Sequence, residues 1–484
     1  MSAASSLMPV AGRVVQVLAP ADLSVVGEVR LAEVAHVDAA VGRARQALAD
    51  WARSTPHDRW RVLVDAADAL AAAANELGLL HARESGKVLT QARREVAGAA
   101  SLVRANAELA RYDGGELAPT GALPGGERDL TWVERVPLGV VACVIPFNFP
   151  VELTMEKAAA AIAAGNVAIV KPPPQNPLAT IEACRLLGSV LPDGVLQVLP
   201  GGTDVSAALC AADGVDAVSL TGSVGAGVAV ATATAPRLRP LHLELGGNGA
   251  SVVLADAELD HVVAETLRGR LLMNGQACAA TKRLVVHDDV VDDLVERLDA
   301  ALAQVRVGDP TDPTSELGPL IDAPSATRVA GQVDHAVAQG ATRVRGPERA
   351  DGAWFAPTLL AGVPTDADVA VDDEIFGPVV SVVPVHDQDQ AVRVVNQSSL
   401  GLTAAVFSAD LPRAVALAQQ LEVGGVVVNG TNNYRPPVVP FGGVGMAGSG
   451  REGLGWTMQE LTRTRFIAVR GLRPPGVPIC GTDG

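Results

Sequence analysis

Along the chain the spacing of hydrophobic and polar positions changes several times, and those changes divide it into elements. Residues 1–30 are irregular and strand-like. From 38 to 112 the spacing is helical: 59–84 and 88–110 carry apolar side chains three and four residues apart, with Ser85-Gly86-Lys87 as punctuation between them. Residues 113–127, rich in Gly and Pro, read as a loop, and 130–136 alternates as a strand with one wet face. Residues 139–145 are continuously apolar, as in a strand buried on both faces of a parallel sheet. After the turn Pro146-Phe147-Asn148-Phe149-Pro150 the pattern predicts a helix at 152–164, closed by Gly165, and a strand at 167–170, stopped by Lys171 and three prolines. Helix 178–191, strand 195–199, helix 203–212, strand 215–220 and helix 224–234 continue the alternation. Such a βαβαβ run is the mark of a doubly wound parallel sheet.

A second alternating half begins near Leu241. It predicts strand 251–254, helix 258–273, strand 283–287, helices 288–305 and 323–339, strand 342–345 and an extended segment near 355–360. Strand 379–384, helix 388–396, strand 403–408, helix 410–421 and strand 425–428 follow, and a last alternating strand covers 464–469. The fold class is therefore α/β with two doubly wound domains. The length of 484 residues agrees, being more than one core holds.

A net charge of −16 argues against nucleic acid as the main partner and against an anionic membrane surface. The five cysteines, Cys143, Cys184, Cys210, Cys278 and Cys480, are odd in number and scattered. Without a Cys-x-x-Cys pair or a Cys/His cluster, neither a disulfide framework nor a metal site is expected. The longest small-apolar run, 158–170, is broken by Gly165-Asn166 and too short to span a bilayer, and no secretory pattern opens the chain. The expected setting is the cytoplasm. Only four lysines occur, Lys87, Lys157, Lys171 and Lys282, in a chain that otherwise uses arginine. Each raises the question of what arginine could not do there.

Ligands of such sheets lie beyond the carboxyl ends of the strands. Asn148, Lys171, Gly201-Gly202 and Thr221-Gly222-Ser223 all fall at such ends, a set that suits a dinucleotide. The Gly-x-Gly-x-x-Gly fingerprint is absent after the first strand, and the glycine-rich 222–227 is weak alone. In the second half, Cys278 lies in Asn-Gly-Gln-Ala-Cys-Ala-Ala-Thr, residues 274–281. Small neighbours leave its sulfur open, and a helix end or nearby cation lowers a thiol's pKa. Taken singly, Cys278 is equally a small buried apolar residue, Asn148 a turn residue and Glu244 a solvated charge.

Taken together the signals are specific. Asn148, Lys171, Gly222-Ser223, Glu244, Cys278 and Glu374-Ile375-Phe376-Gly377-Pro378 occur in order, followed by Pro440-Phe441-Gly442-Gly443 and Gly450-Arg451-Glu452. From about residue 12 to 472 the chain resembles the NAD(P)-dependent aldehyde dehydrogenase family. The resemblance implies that Cys278 attacks the aldehyde carbon, that Asn148 and the Cys278 N–H receive the oxyanion, and that Glu244 activates water to hydrolyse the thioester. Lys157 and Glu460 match positions linked to proton movement near the base, with a structural ion pair as the alternative. It places Ile145, Pro146, Phe147, Lys171, Pro174, Gly201, Thr221, Gly222, Ser223, Leu245, Gly246, Glu374 and Phe376 on the coenzyme, and Glu156, Arg435 and Phe441 on the substrate side. It also implies a coenzyme domain at 1–123 and 142–240 and a catalytic domain at 241–425. A hairpin at 124–141 and a C-terminal strand at 463–484 are expected to join copies into a homodimer or homotetramer.

Three departures bear on specificity. Many NAD-specific members carry a carboxylate three residues after the lysine; here Pro174 stands there, so NAD and NADP are both expected. Glu156 replaces a frequent aromatic, and Arg435 resembles members that handle anionic aldehydes, so a small polar or anionic aldehyde is the expected substrate. An aromatic, benzaldehyde-type aldehyde is the alternative, because Lys-Pro-x-Pro-Gln at 171–175 also occurs in members acting on those. Transfer of the acyl group to coenzyme A is a further alternative, which Glu244 argues against.

Overall fold

A computed structural model describes residues 12–112 and 114–472. The outer ends of the expected domain ranges, 1–11 and 473–484, lie outside the described residues, as do Cys480 and Asp113. The first sheet has six strands in the spatial order Gly448–Ser449, Leu241–Glu244, Ala217–Thr221, Val140–Val144, Val167–Lys171, Leu196–Val198. All neighbours run parallel except Gly448–Ser449, which is antiparallel to Leu243 and Glu244. Val140–Val144, Val167–Lys171 and Ala217–Thr221 are buried along their whole length, which is why they read as unbroken apolar runs. Helical stripes bearing Leu63, Val96, Val103, Ile162 and Leu187 share one core with them.

The second sheet has seven strands, ordered Thr342–Arg345, Thr358–Ala361, Val379–Val385, Arg283–His287, Ala250–Val253, Thr403–Phe407, Gly425–Val428. Only its outermost pair, Thr342–Arg345 with Thr358–Ala361, is antiparallel. Two apolar clusters, one around Val333 and Phe355 and one around Leu294 and Leu298, complete its core. A small antiparallel sheet pairs Thr462–Val469 with Leu130–Pro137, and that strand with Glu116–Ala118. Among the described residues no helix is long and apolar enough to cross a membrane.

Local chemistry sets the helix starts. Thr55 and Asp58 close a reciprocal capping box around Pro56, and Ser223, Asp322, Asp387 and Asp410 each accept a first-turn N–H. The structure departs from the sequence pattern in five places. The expected helix 59–84 is two, Pro56–Ala72 and Ala74–Ser85. A strand, Glu116–Ala118, lies inside the expected loop 113–127, held by its pairing with Thr131–Val133. The helix expected at 152–164 is Pro150–Thr154, a π-turn at Met155–Ala159, and Ala160–Ala163. Strand Leu241–Glu244, read as the opening of the second half, hydrogen-bonds to Ala217–Thr221 and so belongs to the first sheet. The helix expected at 258–273 ends at Arg270, because Met273, Asn274 and Gly275 take positive φ.

Candidate active site

Val140–Val144 is the strand where the first sheet reverses its winding. The chain runs next to Val167–Lys171 on one side and later to Ala217–Thr221 on the other. A crevice opens at such a reversal, and Asn148 stands just beyond that strand's end. Its turn is gripped from both sides. The Asn176 side chain donates to the Phe147 carbonyl (2.9 Å), and the Lys87 ammonium lies 3.9 Å from the centre of the Phe149 ring. Glu95 Oε1 accepts the Val151 N–H at 2.9 Å. Asn148 itself is buried, and its Oδ1 has no partner.

Cys278 approaches the same crevice from the second sheet. Gly275 has φ +81°, and a Cβ there would come within 2.3 Å of the Gly377 carbonyl, so the cysteine loop and the Glu374–Pro378 turn press directly together. The Asn274 side chain donates to the Gly86 and Pro319 carbonyls (2.7 and 2.8 Å) and accepts the Gly318 N–H. Gln276 accepts the Ile321 N–H. The Lys282 ammonium donates to the Cys278 carbonyl at 2.5 Å and pairs with Glu374 at 2.8 Å. Burial pushes the Cys278 thiol up to about 11, and Lys282 only partly offsets it. Lys282 is the nearby cation that favours the thiolate, acting against the larger effect of burial.

Glu244, at the end of Leu241–Glu244, is buried, and neither carboxylate oxygen has a partner. Burial, then the nearby Glu452 charge, holds its pKa well above the usual carboxylate range. Asn148, Cys278 and Glu244 line one cavity of about 340 Å³, with Thr221, Arg435, Phe441 and Glu452 on its wall. The Arg435 guanidinium stacks 4.1 Å over Phe441 and donates to Glu452 at 2.7 Å.

Two candidates are placed elsewhere. Lys157, fully buried in the π-turn, donates to Glu452 and not to Glu460. Glu460 accepts the Arg451 N–H at 3.1 Å and is absent from the cavity wall. Burial alone would raise the Glu452 carboxyl, but Lys157 and Arg435 outweigh it and hold the group well below its usual range. Glu156 also leaves the cavity: it accepts the Gly453 N–H (2.9 Å) and the Thr457 hydroxyl. Glu152, one turn earlier, takes the place on the wall.

On the other side of the crevice the coenzyme candidates gather at strand ends. The Ile145 N–H donates to the Lys171 carbonyl, Pro146 and Phe147 follow, and the Gly222 N–H donates to the Glu244 carbonyl. Ser223 caps helix Val224–Thr234, and the Leu245 N–H donates to the Ala447 carbonyl. A Cβ on Gly246 would come within 2.3 Å of a Glu374 carboxylate oxygen, so the glycine lets that side chain lie close against the backbone. Phe147 meets Phe376 edge to face, with centroids 6.0 Å apart. Lys171 is buried with no hydrogen bond or ion pair to its ammonium among the described residues. Burial lowers it to about 8, with Asp204 working in the other direction. Gly201 leads into the helix carrying Asp204, while Pro174 borders a separate cavity beside Val15–Leu23.

All four lysines are thus buried around this site. The sequence reading left Lys87, Lys282, Glu95, Glu152, Asp204 and Glu452 without roles. The scarcity of lysine pointed to the first two, and Glu452 stood in a quoted motif. Nothing local in the sequence marked the others.

The model of the aldehyde dehydrogenase family matches residues 8–467. The chain is 35% identical to a 3-sulfolactaldehyde dehydrogenase of Priestia aryabhattai, over 91% of this chain and 92% of that one. It is 39% identical to a 3,6-anhydro-alpha-L-galactose dehydrogenase of Streptomyces coelicolor, over 85% and 84%. The crystal structure of the NADP-dependent glyceraldehyde-3-phosphate dehydrogenase of Bacillus halodurans C-125, complexed with NADP, superposes with a TM-score of 0.91. That protein is 32% identical, with 95% and 96% of the two chains covered.

Proposed function

This chain belongs to the aldehyde dehydrogenase family, and we propose that it oxidises a small polar aldehyde to its carboxylic acid with NAD or NADP. The observation that carries the reading is the convergence of Cys278, Asn148 and the partnerless Glu244 carboxylate on one cavity wall. The strand-end set beside it fits a dinucleotide. Lys171 is a buried cation whose ammonium reaches no hydrogen-bond or ion-pair partner among the described residues, ready for a ribose hydroxyl or a phosphate. The coenzyme, when bound, supplies the hydride acceptor. The names of the relatives speak for small polar aldehydes.

The residues divide the work as follows. The Cys278 thiol passes its proton to water in the cavity, its sulfur bonds the carbonyl carbon as the C=O π bond opens onto oxygen, and the Asn148 amide and the Cys278 N–H receive the charge that develops there. Loss of hydride from that carbon leaves a thioester on Cys278. Glu244 then takes a proton from water, the hydroxide adds to the carbonyl, and the C–S bond breaks to release the acid. Lys157, Glu452 and Arg435 form a fixed ion cluster behind the base. Burial, then the Glu452 charge, keeps the Glu244 carboxyl high, so turnover is expected to climb with pH, since the base works only when deprotonated.

Two variants test the assignment. Cys278→Ala removes the sulfur assigned to the thioester and is expected to fall below about a thousandth of the wild-type rate. Glu244→Gln is expected to give a rapid burst of reduced coenzyme and then slow release, the acyl group accumulating on sulfur. Stopped-flow absorbance of reduced coenzyme, with mass spectrometry of the acylated chain, reads both. Retained turnover in Cys278→Ala removes the cysteine from the mechanism.

A further inference from the structure

Four carboxylates line the catalytic cavity: Glu95, Glu152, Glu244 and Glu452. Three have partners or a task. Glu95 is bonded to Lys87, His81 and the Val151 N–H, Glu452 to Lys157 and Arg435, and Glu244 is the proposed base. The Glu152 N–H donates to Glu95 Oε1 at 3.3 Å, but its carboxylate makes no hydrogen bond or ion pair among the described residues. It sits one turn past Asn148 on the short helix Pro150–Thr154 and is half-buried. Its carboxylate is therefore free to bond a polar group placed in the lumen.

The groups sharing that lumen narrow the choice. Arg435 engages one nitrogen with Glu452 and keeps its other donors. Gln91 spends its oxygen on the Met273 N–H, and Asn433 its nitrogen on the Gly269 carbonyl, so each offers the other half of its amide. An anionic head group would meet Arg435 but also Glu152 and Glu95. A cationic one would meet Glu152 but also Arg435, whose guanidinium already covers the face of Phe441. A neutral aldehyde bearing hydroxyls satisfies both, donating O–H to Glu152 and accepting N–H from Arg435 or Gln91. Burial pushes the Glu152 carboxyl up to about 7, opposed by Arg435 and reinforced by Glu95, so the group serves as acceptor or donor near neutral pH.

Resting on the aldehyde-oxidation reading, we propose that Glu152 is a specificity-determining residue that holds a hydroxyl of a neutral, hydroxylated aldehyde in the cavity. Steady-state kcat/KM with glyceraldehyde, propanal, succinic semialdehyde and betaine aldehyde tests it. Glyceraldehyde and propanal share a three-carbon skeleton and differ only in hydroxyls. The wild type is expected to favour glyceraldehyde over propanal by at least about tenfold, the worth of one hydrogen bond to a charged acceptor. Glu152→Leu is expected to collapse that ratio by about tenfold or more. The near-isosteric Glu152→Gln, which keeps an acceptor without the charge, retains part of the ratio and gains on succinic semialdehyde relative to glyceraldehyde. A wild-type ratio at or below one overturns the proposal, and so does a Glu152→Leu variant that loses all four substrates in equal proportion. A best substrate that is anionic or cationic overturns it in favour of a charged head group. A wild type that binds coenzyme but oxidises none of the four removes the underlying reading instead.

Discussion

The resemblance places Pro174 at the adenosine ribose, where it offers no side-chain acceptor, while Lys171, at the end of strand Val167–Lys171, is buried. A carboxylate at the ribose binds its hydroxyls and repels a 2′-phosphate; proline does neither. Asp204, in the first turn of helix Thr203–Ala211, is the acid whose charge acts most on Lys171. NADP is therefore expected to be used within about a hundredfold of NAD, roughly 2.7 kcal/mol in kcat/KM. Asp204→Asn is expected to move the balance toward NADP, and Pro174→Glu toward NAD, with calorimetric binding of each coenzyme following the same order. A wild type with a stronger NAD preference that Asp204→Asn leaves untouched places the discriminating acid elsewhere. At this scale the sequence was informative wherever a role depends on a local motif, as for Asn148, Cys278 and Glu244. It failed where a partner is chosen across the fold: Lys157 takes Glu452, 295 residues away, because the π-turn and the Gly450–Gly453 loop meet. The burial that raises the Cys278 thiol was likewise not legible, being a property of packing and not of neighbours in the chain.

Among the elements, the join between helices Ala74–Ser85 and Leu178–Gly188 carries its own charge. Pro177 offers the second helix no side-chain cap, and Glu84 from the first accepts the Leu178 and Ala179 N–H groups at 2.8 Å each. Burial nonetheless raises the Glu84 carboxyl to about 8, above its value near 4.5 in an open chain. A group raised on folding stabilises fully below the unfolded value and loses that contribution as pH climbs through the folded one. The wild type is therefore expected to lose stability relative to Glu84→Gln between pH 5 and 8, by at most about 1.4 kcal/mol per pH unit. Urea midpoints at the two pH values measure this; parallel profiles mean that the helix amides keep Glu84 ionised. Glu84→Ala, which strands two N–H groups, is expected to cost about 1–3 kcal/mol for each. Most elements were legible in the sequence because one period holds within each. Helix Val224–Thr234 and strand Gly425–Val428 lie where the pattern put them. The π-turn at Met155–Ala159 was not legible, because Met155 through Ala163 are all buried and an all-round buried segment has no phase to read. Such turns concentrate at functional sites, and this one aims Lys157 at the ion cluster.

The whole molecule leaves one sheet unfinished. Thr462–Val469 lies at the edge of the three-stranded sheet, with a full row of backbone groups on its outer side unpaired among the described residues. Phe466 on that strand is 71% exposed and Leu117 on the opposite edge strand 73%. An eight-residue edge strand with an exposed aromatic is a template for another chain, and a second copy of the same chain is the expected occupant. Copies of net charge −16 repel each other, so association is expected to strengthen from about 10 to 150 mM salt as the Debye length shrinks from roughly 30 to 8 Å. Sedimentation at both salts is expected to show a dimer or tetramer, the larger fraction at higher salt. Ile467→Pro, which removes a ladder donor and cannot continue the strand, is expected to shift the chain toward monomer, and Phe466→Asp to do so by charge. Cys278, Asn148 and Glu244 meet on the same chain, so kcat per chain in these variants is expected to stay within a few-fold of wild type even as mass falls. A wild type that sediments as a monomer at both salts removes the edge as an interface. Catalysis lost in step with mass means that the neighbouring copy braces the Trp456–Glu460 helix, which leads from the Arg451–Glu452 loop into that strand.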